Sequence, residues 1–393
     1  MPKKVLIATS KSHQFAGDQD GGSILIHQLV SYAPAWFKTV DLLLLRAFDP
    51  ACKTPPGIRR LDFLDLPGQG GDKFSSRIAG TQAFVNYLNA HGDDYDLIVI
   101  SHVSNVFGLW QVRETIQRRI VLYPMFTGLS YQLANESVPA LYIEMERRAL
   151  ALCPTILTPS DTEKRQLVDG YQVDPDCIEV IPRGIDRLLF RPREHTLTDN
   201  KPLDIVCIGA VRSQKNTLDA IRLIHALANK GVEANLHLAG AIAAPDYAAQ
   251  CRRVVDDLEL KARVRFHSVL PQNELAALMD TCDFAVSVSR WETFGRGIFE
   301  SVSMGIPTLA YKRLSCVWEH LSEGSGILGT ENSPTAMADR ILELVRHPSL
   351  YRELSRSALL ATRSLDESFI MQKVRAAWQR ASADAPLEER EAI

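Results

Sequence analysis

Short apolar runs alternate with longer amphipathic stretches along this chain of 393 residues. Short apolar runs bounded by polar residues are typical of buried parallel strands, and stretches with a period near 3.6 are typical of helices packed on them. In the first half the pattern predicts strands at 5–8, 40–44, 97–100, 120–122 and 155–157, with helices at 22–33 and 142–152. The second half repeats the scheme with strands at 204–208, 235–238, 264–266, 284–288 and 308–310. An α/β protein follows.

A segment with two prolines and a glycine separates the two halves: Val180-Ile181-Pro182-Arg183-Gly184-Ile185-Asp186, then Phe190-Arg191-Pro192 and polar residues to 202. This composition indicates an interdomain linker, with the boundary near Gly184. We therefore predict domains at 1–183 and 184–365, and a closing helix with an acidic tail over 366–393. Ligands bind beyond the carboxyl ends of the strands in doubly wound sheets. We expect two Rossmann-like domains that face a central cleft.

The segment from Ser289 to Glu300 places two carboxylates, Glu292 and Glu300, on either side of a glycine turn that opens onto a helix. Such a turn presents unpaired backbone N–H groups together with the positive end of the helix dipole, which suits a diphosphate. Ionised carboxylates only accept hydrogen bonds, so they suit hydroxyl-rich groups such as a ribose and a sugar. The combination describes a site for a sugar nucleotide.

The same segment resembles the Glu-x7-Glu signature of the retaining glycosyltransferases called family 4, or group 1. Glu292 and Glu300 match its two ends, and Phe294-Gly295 and Met304-Gly305-Ile306-Pro307 are in register. The resemblance implies a GT-B fold and transfer of a hexose from a nucleoside-diphosphate sugar to an acceptor hydroxyl, with retention. It also implies that Glu300 holds the ribose, and that Glu292 holds the donor sugar with help from the backbone of Thr293, Phe294, Gly295, Arg296 and Gly297.

Two cations, Arg212 and Lys215, follow the strand at 204–208 and precede a helix at 217–228. Cations beside a helix start suit a diphosphate leaving group, since they stabilise charge that develops on its oxygens. The segment resembles the Gly-Arg-x4-Lys element of the same family. Lys215 falls at the family lysine, whereas Ala210 stands at the arginine position, so Arg212 is the candidate substitute.

Further segments resemble the family less closely. Gly21 and Gly22 lie in Gly17-Asp18-Gln19-Asp20-Gly21-Gly22-Ser23, similar to a loop near the donor phosphate or acceptor, although a plain strand-to-helix connection fits equally well. Val269 lies in a loop similar to the one whose backbone reads the nucleotide base in the family, although this loop does not identify the base. We expect the donor to be a UDP-sugar or a GDP-sugar. The linker resembles Ile-Pro-Asn-Gly-Ile-Asp, with Arg183 in place of Asn. Arg296 stands where relatives often have an aliphatic residue, which suggests a charged or polar sugar.

His102 ends the strand at 97–100. The resemblance places it near the acceptor or the reacting centre, and a structural hydrogen-bonding role is the alternative. Where relatives show Thr-x-His, this chain has Tyr123-Pro124-Met125-Phe126, so the acceptor side departs from the family pattern. We do not expect Asp18-x-Asp20 to bind a metal ion, because a lone Asp-x-Asp is frequent and the two-domain pattern favours the metal-independent class of glycosyltransferases.

Composition narrows the partners. A formal net charge of −3 does not favour binding to nucleic acid, and no block of Lys and Arg marks a membrane-binding surface. Because the charges of the whole chain nearly balance, one basic face could still contact a membrane peripherally. Seven scattered cysteines without a Cys-x-x-Cys pair indicate reduced thiols and no zinc site. Neither a signal-peptide run nor a membrane-length apolar run is present, so we expect a cytoplasmic protein.

The expected reaction is metal-independent and needs no cofactor beyond the donor. No second carboxylate pair is evident for a double displacement, so front-side attack assisted by the leaving phosphate is the mechanism that family analogy favours. The acceptor class stays open among small molecules, glycans and lipid-linked sugars. The alternatives are a sugar-nucleotide epimerase or hydrolase of the same fold, or a silent scaffold subunit. A dinucleotide oxidoreductase is less favoured, because no Gly-x-Gly-x-x-Gly follows the first strand.

Overall fold

The computed structural model describes residues 4–11, 21–66, 72–133, 135–197 and 202–382. These residues form two compact units. The first contains the described residues up to Pro182 together with those from Ile370 onward, and the second contains those of Arg183–Phe369. Each unit is a parallel sheet with helices, as the two-domain α/β prediction requires.

In the described part of the first unit, seven parallel strands pair in the order β3-β2-β1-β4-β5-β6-β7. The strands are β1 (Lys4–Thr9), β2 (Thr39–Leu44), β3 (Arg60–Phe63), β4 (Leu97–Ser101), β5 (Ile120–Tyr123), β6 (Thr155–Thr158) and β7 (Ile178–Val180). The helices are α1 (Gly21–Trp36), α2 (Lys73–Ala79), α3 (Thr81–His91), α4 (Glu114–Gln117), α5 (Gly128–Leu133), α6 (Ala140–Leu150) and α7 (Asp161–Tyr171).

In the described part of the second unit, six parallel strands pair in the order β10-β9-β8-β11-β12-β13. They are β8 (Leu203–Ile208), β9 (Ala234–Ala239), β10 (Val264–His267), β11 (Phe284–Ser287), β12 (Thr308–Tyr311) and β13 (Ile327–Thr330). The helices are α8 (Thr217–Ala228), α9 (Pro245–Asp257), α10 (Gln272–Asp280), α11 (Arg296–Ser303), α12 (Ser315–Trp318), α13 (Pro334–Arg346) and α14 (Pro348–Ala361), and α15 (Glu367–Ala381) follows them. The strand order reverses between β8 and β11, and such a switch point opens a crevice at the carboxyl ends of the strands.

Every strand that the apolar runs predict is present, whereas β3, β7 and β13 were missed. All three are edge strands, which pair on one side only. In β3 an arginine and an aspartate alternate with the apolar residues, and none of its residues is fully buried. In β13 a glycine and a threonine shorten the apolar run. Val180, which the sequence places in the linker, is the last residue of β7.

The last helix contributes to the core of the first unit. Trp378 is fully buried, lies edge-on to Trp36 at 5.8 Å between ring centroids, and stacks on Phe37 at 5.9 Å. Its indole N–H donates to the Tyr123 hydroxyl at 3.1 Å. The residues of α15 from Ile370 onward are therefore an integral layer of this unit. Residues 383–393 of the expected tail lie outside the described residues.

No helix in the described part of the chain combines the length and the apolar character that crossing a membrane requires.

Candidate functional site

Two loops meet beyond the carboxyl ends of β8 and β11, at the switch point of the second sheet. The first loop contains a single 3₁₀ turn, Ser213–Lys215, and the second leads into α11. The side-chain amide of Asn216 donates to the Val288 carbonyl at 3.2 Å, and that of Gln214 donates to the Trp291 carbonyl at 2.9 Å. These amides, which sequence reasoning missed, hold the two loops against each other. Their position in the loop that follows a predicted strand was the available signal.

Lys215 and Glu292 form an ion pair in this crevice, although they lie 77 residues apart in the chain. Lys215 Nζ lies 2.6 Å from Glu292 Oε1, and the Ser289 hydroxyl donates to the same oxygen at 2.7 Å. The side chains are only 21% and 10% exposed. Gly209 makes room for the lysine, since a Cβ there would lie 3.0 Å from Lys215 Cδ. The structure thus joins two predicted residues and adds Ser289, which the sequence analysis did not identify.

The start of α11 is open to a ligand. Gly295, the residue before the helix, has φ of +89°, a conformation that side-chain-bearing residues rarely adopt, and no side chain caps the helix. The first N–H groups of a helix have no intrahelical partner and carry partial positive charge. A Cβ at Gly297 would lie 2.9 Å from Ile208 Cβ, so this glycine allows the helix start to pack closely on the end of β8.

A pocket connects these features. Its polar lining includes Lys215, Glu292, Ser301 and the backbone of Gly295 and Gly297, and its apolar lining comes mainly from β8 and β11. A cation, a helix N-terminus and a carboxylate therefore face one space within the second unit. This arrangement can bind an anionic group and a hydroxyl side by side.

Glu300 and Arg296 form a second ion pair, one helical turn apart on α11. Arg296 Nη2 lies 2.7 Å from Glu300 Oε1, and the side chains are 11% and 4% exposed. Arg296 Nη1 also donates to the Gly184 carbonyl at 3.1 Å. The expectation that Arg296 faces a charged sugar stays a prediction, and in this structure its guanidinium is engaged by these two groups.

The remaining donor-side predictions have different surroundings. Phe294 is buried and stacks on Phe299 with 4.2 Å between ring centroids, so its side chain belongs to the core. Thr293 is partly buried beside it. Arg212 directly precedes the 3₁₀ turn and Val269 follows β10; both are partly buried, and neither lines the pocket.

In the first unit, His102 is 4% exposed and has an unusual backbone φ of 74°. Burial lowers the pKa of His102 well below its usual range, and the charges of Arg77 and Lys11 lower it further. Its Nδ1 accepts the Ser104 backbone N–H at 3.2 Å, so the proton of the neutral ring is on Nε2. Nε2 is buried without a hydrogen-bond partner among the described residues. A donor N–H in this state is a candidate for contact with a substrate oxygen.

Gly21 and Gly22 form the first turn of α1, with Gly21 exposed. The rest of the predicted glycine loop, residues 17–20, lies outside the described residues. Asp18 and Asp20, which we do not expect to bind a metal ion, also lie outside the described residues. Within the described ranges, no three His, Cys, Asp or Glu side chains cluster closely enough to hold a metal ion.

A buried carboxyl group in the first unit was not anticipated from the sequence. Both oxygens of Glu146 accept the Gly128 backbone N–H at 2.9 Å, and the Tyr171 hydroxyl donates to Oε2. Burial raises the pKa of Glu146 to about 7 despite these hydrogen bonds. Its only sequence signal was a charged residue on the apolar face of a predicted helix.

Comparison with known families divides the chain near the boundary between the two units. Residues 20–187 match the family described as Glycosyltransferase Family 4, and residues 190–359 match Glycosyl transferases group 1. The two matches together cover most of the chain. The chain belongs to the glycosyltransferases of the group 1, or family 4, type.

Individual curated relatives of this chain are distant. An MMP alpha-(1->4)-mannosyltransferase of Mycolicibacterium hassiacum is 27% identical over 170 residues, 43% of this chain and 39% of the relative. A D-inositol 3-phosphate glycosyltransferase of Corynebacterium glutamicum is 28% identical over 199 residues, 47% of each chain. The chain spans about half the length of the first curated relatives that it matches.

Solved structures agree on the fold. A sucrose-phosphate synthase of Thermosynechococcus elongatus superposes with a TM-score of 0.78 at 20% identity, covering 96% of this chain and 99% of the other. Anabaena HepE, solved in complex with UDP and glucose, superposes with a TM-score of 0.74 at 19% identity, covering 95% and 98%. The glycosyltransferase fold is therefore GT-B, as the sequence resemblance implied.

Proposed function

We propose that this chain is a retaining, metal-independent hexosyltransferase that moves a sugar from UDP or GDP to an acceptor hydroxyl. The observation that carries the proposal is the meeting of Lys215 and Glu292 at the uncapped start of α11, in one pocket. The names of the mannosyltransferase and of the UDP and glucose complex support a nucleotide-bound hexose as donor. The acceptor is a small molecule, a glycan or a lipid-linked sugar.

The diphosphate is proposed to lie over the start of α11. Backbone N–H groups from Thr293 to Gly297 and the helix dipole bind its oxygens. Lys215, already held in the pocket by Glu292, stabilises the negative charge that develops as the bond between the sugar and the phosphate breaks. Arg212 is assigned the same task from the preceding loop.

The two acids are proposed to hold the groups on either side of the diphosphate. Glu292 accepts a hydrogen bond from a sugar hydroxyl through its oxygen atoms, and Glu300 accepts from the ribose hydroxyls. Both side chains are almost fully buried, so neither carboxylate is directed into bulk water.

In the proposed mechanism, the acceptor oxygen attacks the anomeric carbon on the face that the phosphate leaves. The C–O bond to the acceptor forms, the C–O bond to the phosphate breaks, and the hydroxyl proton passes to the departing phosphate oxygen. A neutral His102 suits this chemistry as a hydrogen-bond donor to a substrate oxygen through Nε2–H. A strongly depressed pKa makes it a weak base, so we assign it an orienting role.

We also propose a cytoplasmic location, because all seven cysteines are free of disulfide bonds. Free thiols persist in reducing compartments.

The first test is thermal-shift screening with UDP-, GDP-, ADP- and dTDP-sugars. A ligand at a hundred times its Kd stabilises the protein by about 2.7 kcal/mol. We expect stabilisation by a UDP- or GDP-sugar, and mass spectrometry of that donor with a panel of acceptors then identifies the product. Failure of every nucleotide sugar to stabilise the protein contradicts the proposal.

Lys215→Ala tests the site itself. Losing one charge-assisted hydrogen bond costs about 1.5–3 kcal/mol, so turnover falls about ten- to a hundredfold. Affinity for the nucleoside diphosphate falls too, whereas affinity for the phosphate-free nucleoside is unchanged. Lys230→Ala is the matched control, because this lysine is also partly buried and pairs with Asp339 at 2.6 Å, outside the pocket. Equal effects of the two variants contradict the assignment.

A further inference from the structure

Arg296 occupies a position that helix energetics disfavours. It is the first residue of α11, where the positive end of the helix dipole repels a cation. Its partner Glu300 follows it by four residues, and a pair in which the basic residue comes first is the weaker order. Both side chains are nearly buried, and burying an ion pair does not by itself stabilise a protein. Local stability therefore does not account for an arginine here.

The two contacts of the Arg296 guanidinium explain its position better than local helix stability does. One nitrogen holds Glu300 Oε1, and another donates to the Gly184 carbonyl, 112 residues earlier and next to the first residue of the second unit. The Gly184 segment is itself held in place: Ile185 N–H donates to the Leu365 carbonyl at 2.8 Å, and Glu367 N–H donates to the Ile185 carbonyl at 3.0 Å. Arg296 is thus anchored on a fixed backbone carbonyl while it holds the carboxylate.

Turning the guanidinium towards a sugar would break both contacts and leave Glu300 without its cation. The ion pair places Arg296 Nη2 2.7 Å from Glu300 Oε1, an oxygen that is itself buried. A carboxylate fixed through one oxygen presents the other in one direction. That geometry suits recognition of a vicinal diol, which must be met at a defined angle.

We propose that Arg296 is a positioning residue that fixes Glu300 for recognition of the nucleotide ribose, with Gly184 as its anchor. The inference rests on the proposed function, because it assumes that a nucleoside diphosphate binds beside α11. It predicts that Arg296 acts on the discrimination between ribose and 2′-deoxyribose. It does not predict an effect on binding of the diphosphate group itself.

The experiment is calorimetric titration of the full chain with UDP and 2′-deoxy-UDP, and with GDP and 2′-deoxy-GDP. A hydrogen bond to a charged group corresponds to about a tenfold or greater preference for the ribonucleotide in the unsubstituted protein. In Arg296→Leu we expect this preference to fall to about threefold or less, as in Glu300→Gln, with nearly unchanged affinity for the deoxynucleotide. Arg296→Lys keeps the charge but cannot fork to both partners, so it gives an intermediate ratio.

Arg222→Leu is the matched control, since this arginine is paired with Asp219 on α8 and is 54% exposed. We expect it to keep the full ribose preference. If Arg296→Leu weakens both nucleotides equally and keeps their ratio, Arg296 has only a structural role and the inference is wrong. If the unsubstituted protein binds neither nucleoside diphosphate, the proposed function fails, and the inference with it. Should Arg296→Leu not fold, the ratio in Arg296→Lys decides, and an unchanged ratio there overturns the inference.

Discussion

Glu146 in α6 provides a sharp test of the electrostatics of the first unit. Its side chain is fully buried, and its pKa is raised to about 7 mainly by that burial. The hydrogen bonds from Gly128 and Tyr171 and the charge of Arg77 act in the opposite direction but do not cancel the effect. The substitution Glu146→Gln keeps the shape of the side chain and removes its titration.

The size of the effect follows from the difference in pKa between the two states. Each pH unit between an unfolded-state value of 4.5 and a folded-state value of about 7 is worth about 1.4 kcal/mol, or about 3 kcal/mol in all. The folded state holds this proton more tightly than the unfolded state does. The contribution of Glu146 to the free energy of unfolding is therefore complete below pH 4.5, falls as the pH rises from 4.5 to 7, and is lost above that.

We expect Glu146→Gln to match the unsubstituted protein in stability near pH 4.5 and to exceed it by up to about 3 kcal/mol at pH 8. Urea unfolding at several pH values, followed by tryptophan fluorescence, measures this difference. Glu144→Gln is the control on the same helix, because Glu144 is 52% exposed and pairs with Arg147. A difference between Glu146→Gln and the unsubstituted protein that does not change with pH would refute the reasoning.

Two further substitutions test the packing. Gly297→Ala places a Cβ 2.9 Å from Ile208 Cβ and forces α11 away from β8. We expect a loss of about 1–3 kcal/mol in the free energy of unfolding, together with weaker nucleotide binding. A variant with normal thermal stability and normal nucleotide binding would contradict this contact. Trp378→Ala removes a fully buried ring from the core of the first unit and should cost about 3–5 kcal/mol by urea unfolding, whereas Trp378→Phe should cost less. A cost below about 1 kcal/mol for the alanine variant would show that the last helix is not part of that core.

Much of the fold could be predicted from local pattern. A central parallel strand is buried on both faces, so it reads as a continuous apolar run, and every such run became a strand. The edge strands β3 and β13 escaped because a strand that pairs on one side tolerates polar or small residues. The position of Gly295 before a helix was equally readable, since glycine suits the left-handed turn found there.

The sequence by itself determined the two α/β halves, the glycine turn before α11 and the candidate status of Lys215, Glu292 and Glu300, because each depends on residues close together in the chain. Only the tertiary structure decided which distant groups meet. Sheet order brings β8 beside β11 and so joins Lys215 to Glu292, and packing brings Arg296 to Gly184 and Trp378 into the first unit. The burial that raises the pKa of Glu146 likewise comes from elements far apart in sequence. The periodicity of the sequence indicates whether a residue is buried. Only the folded chain determines which residues it packs against.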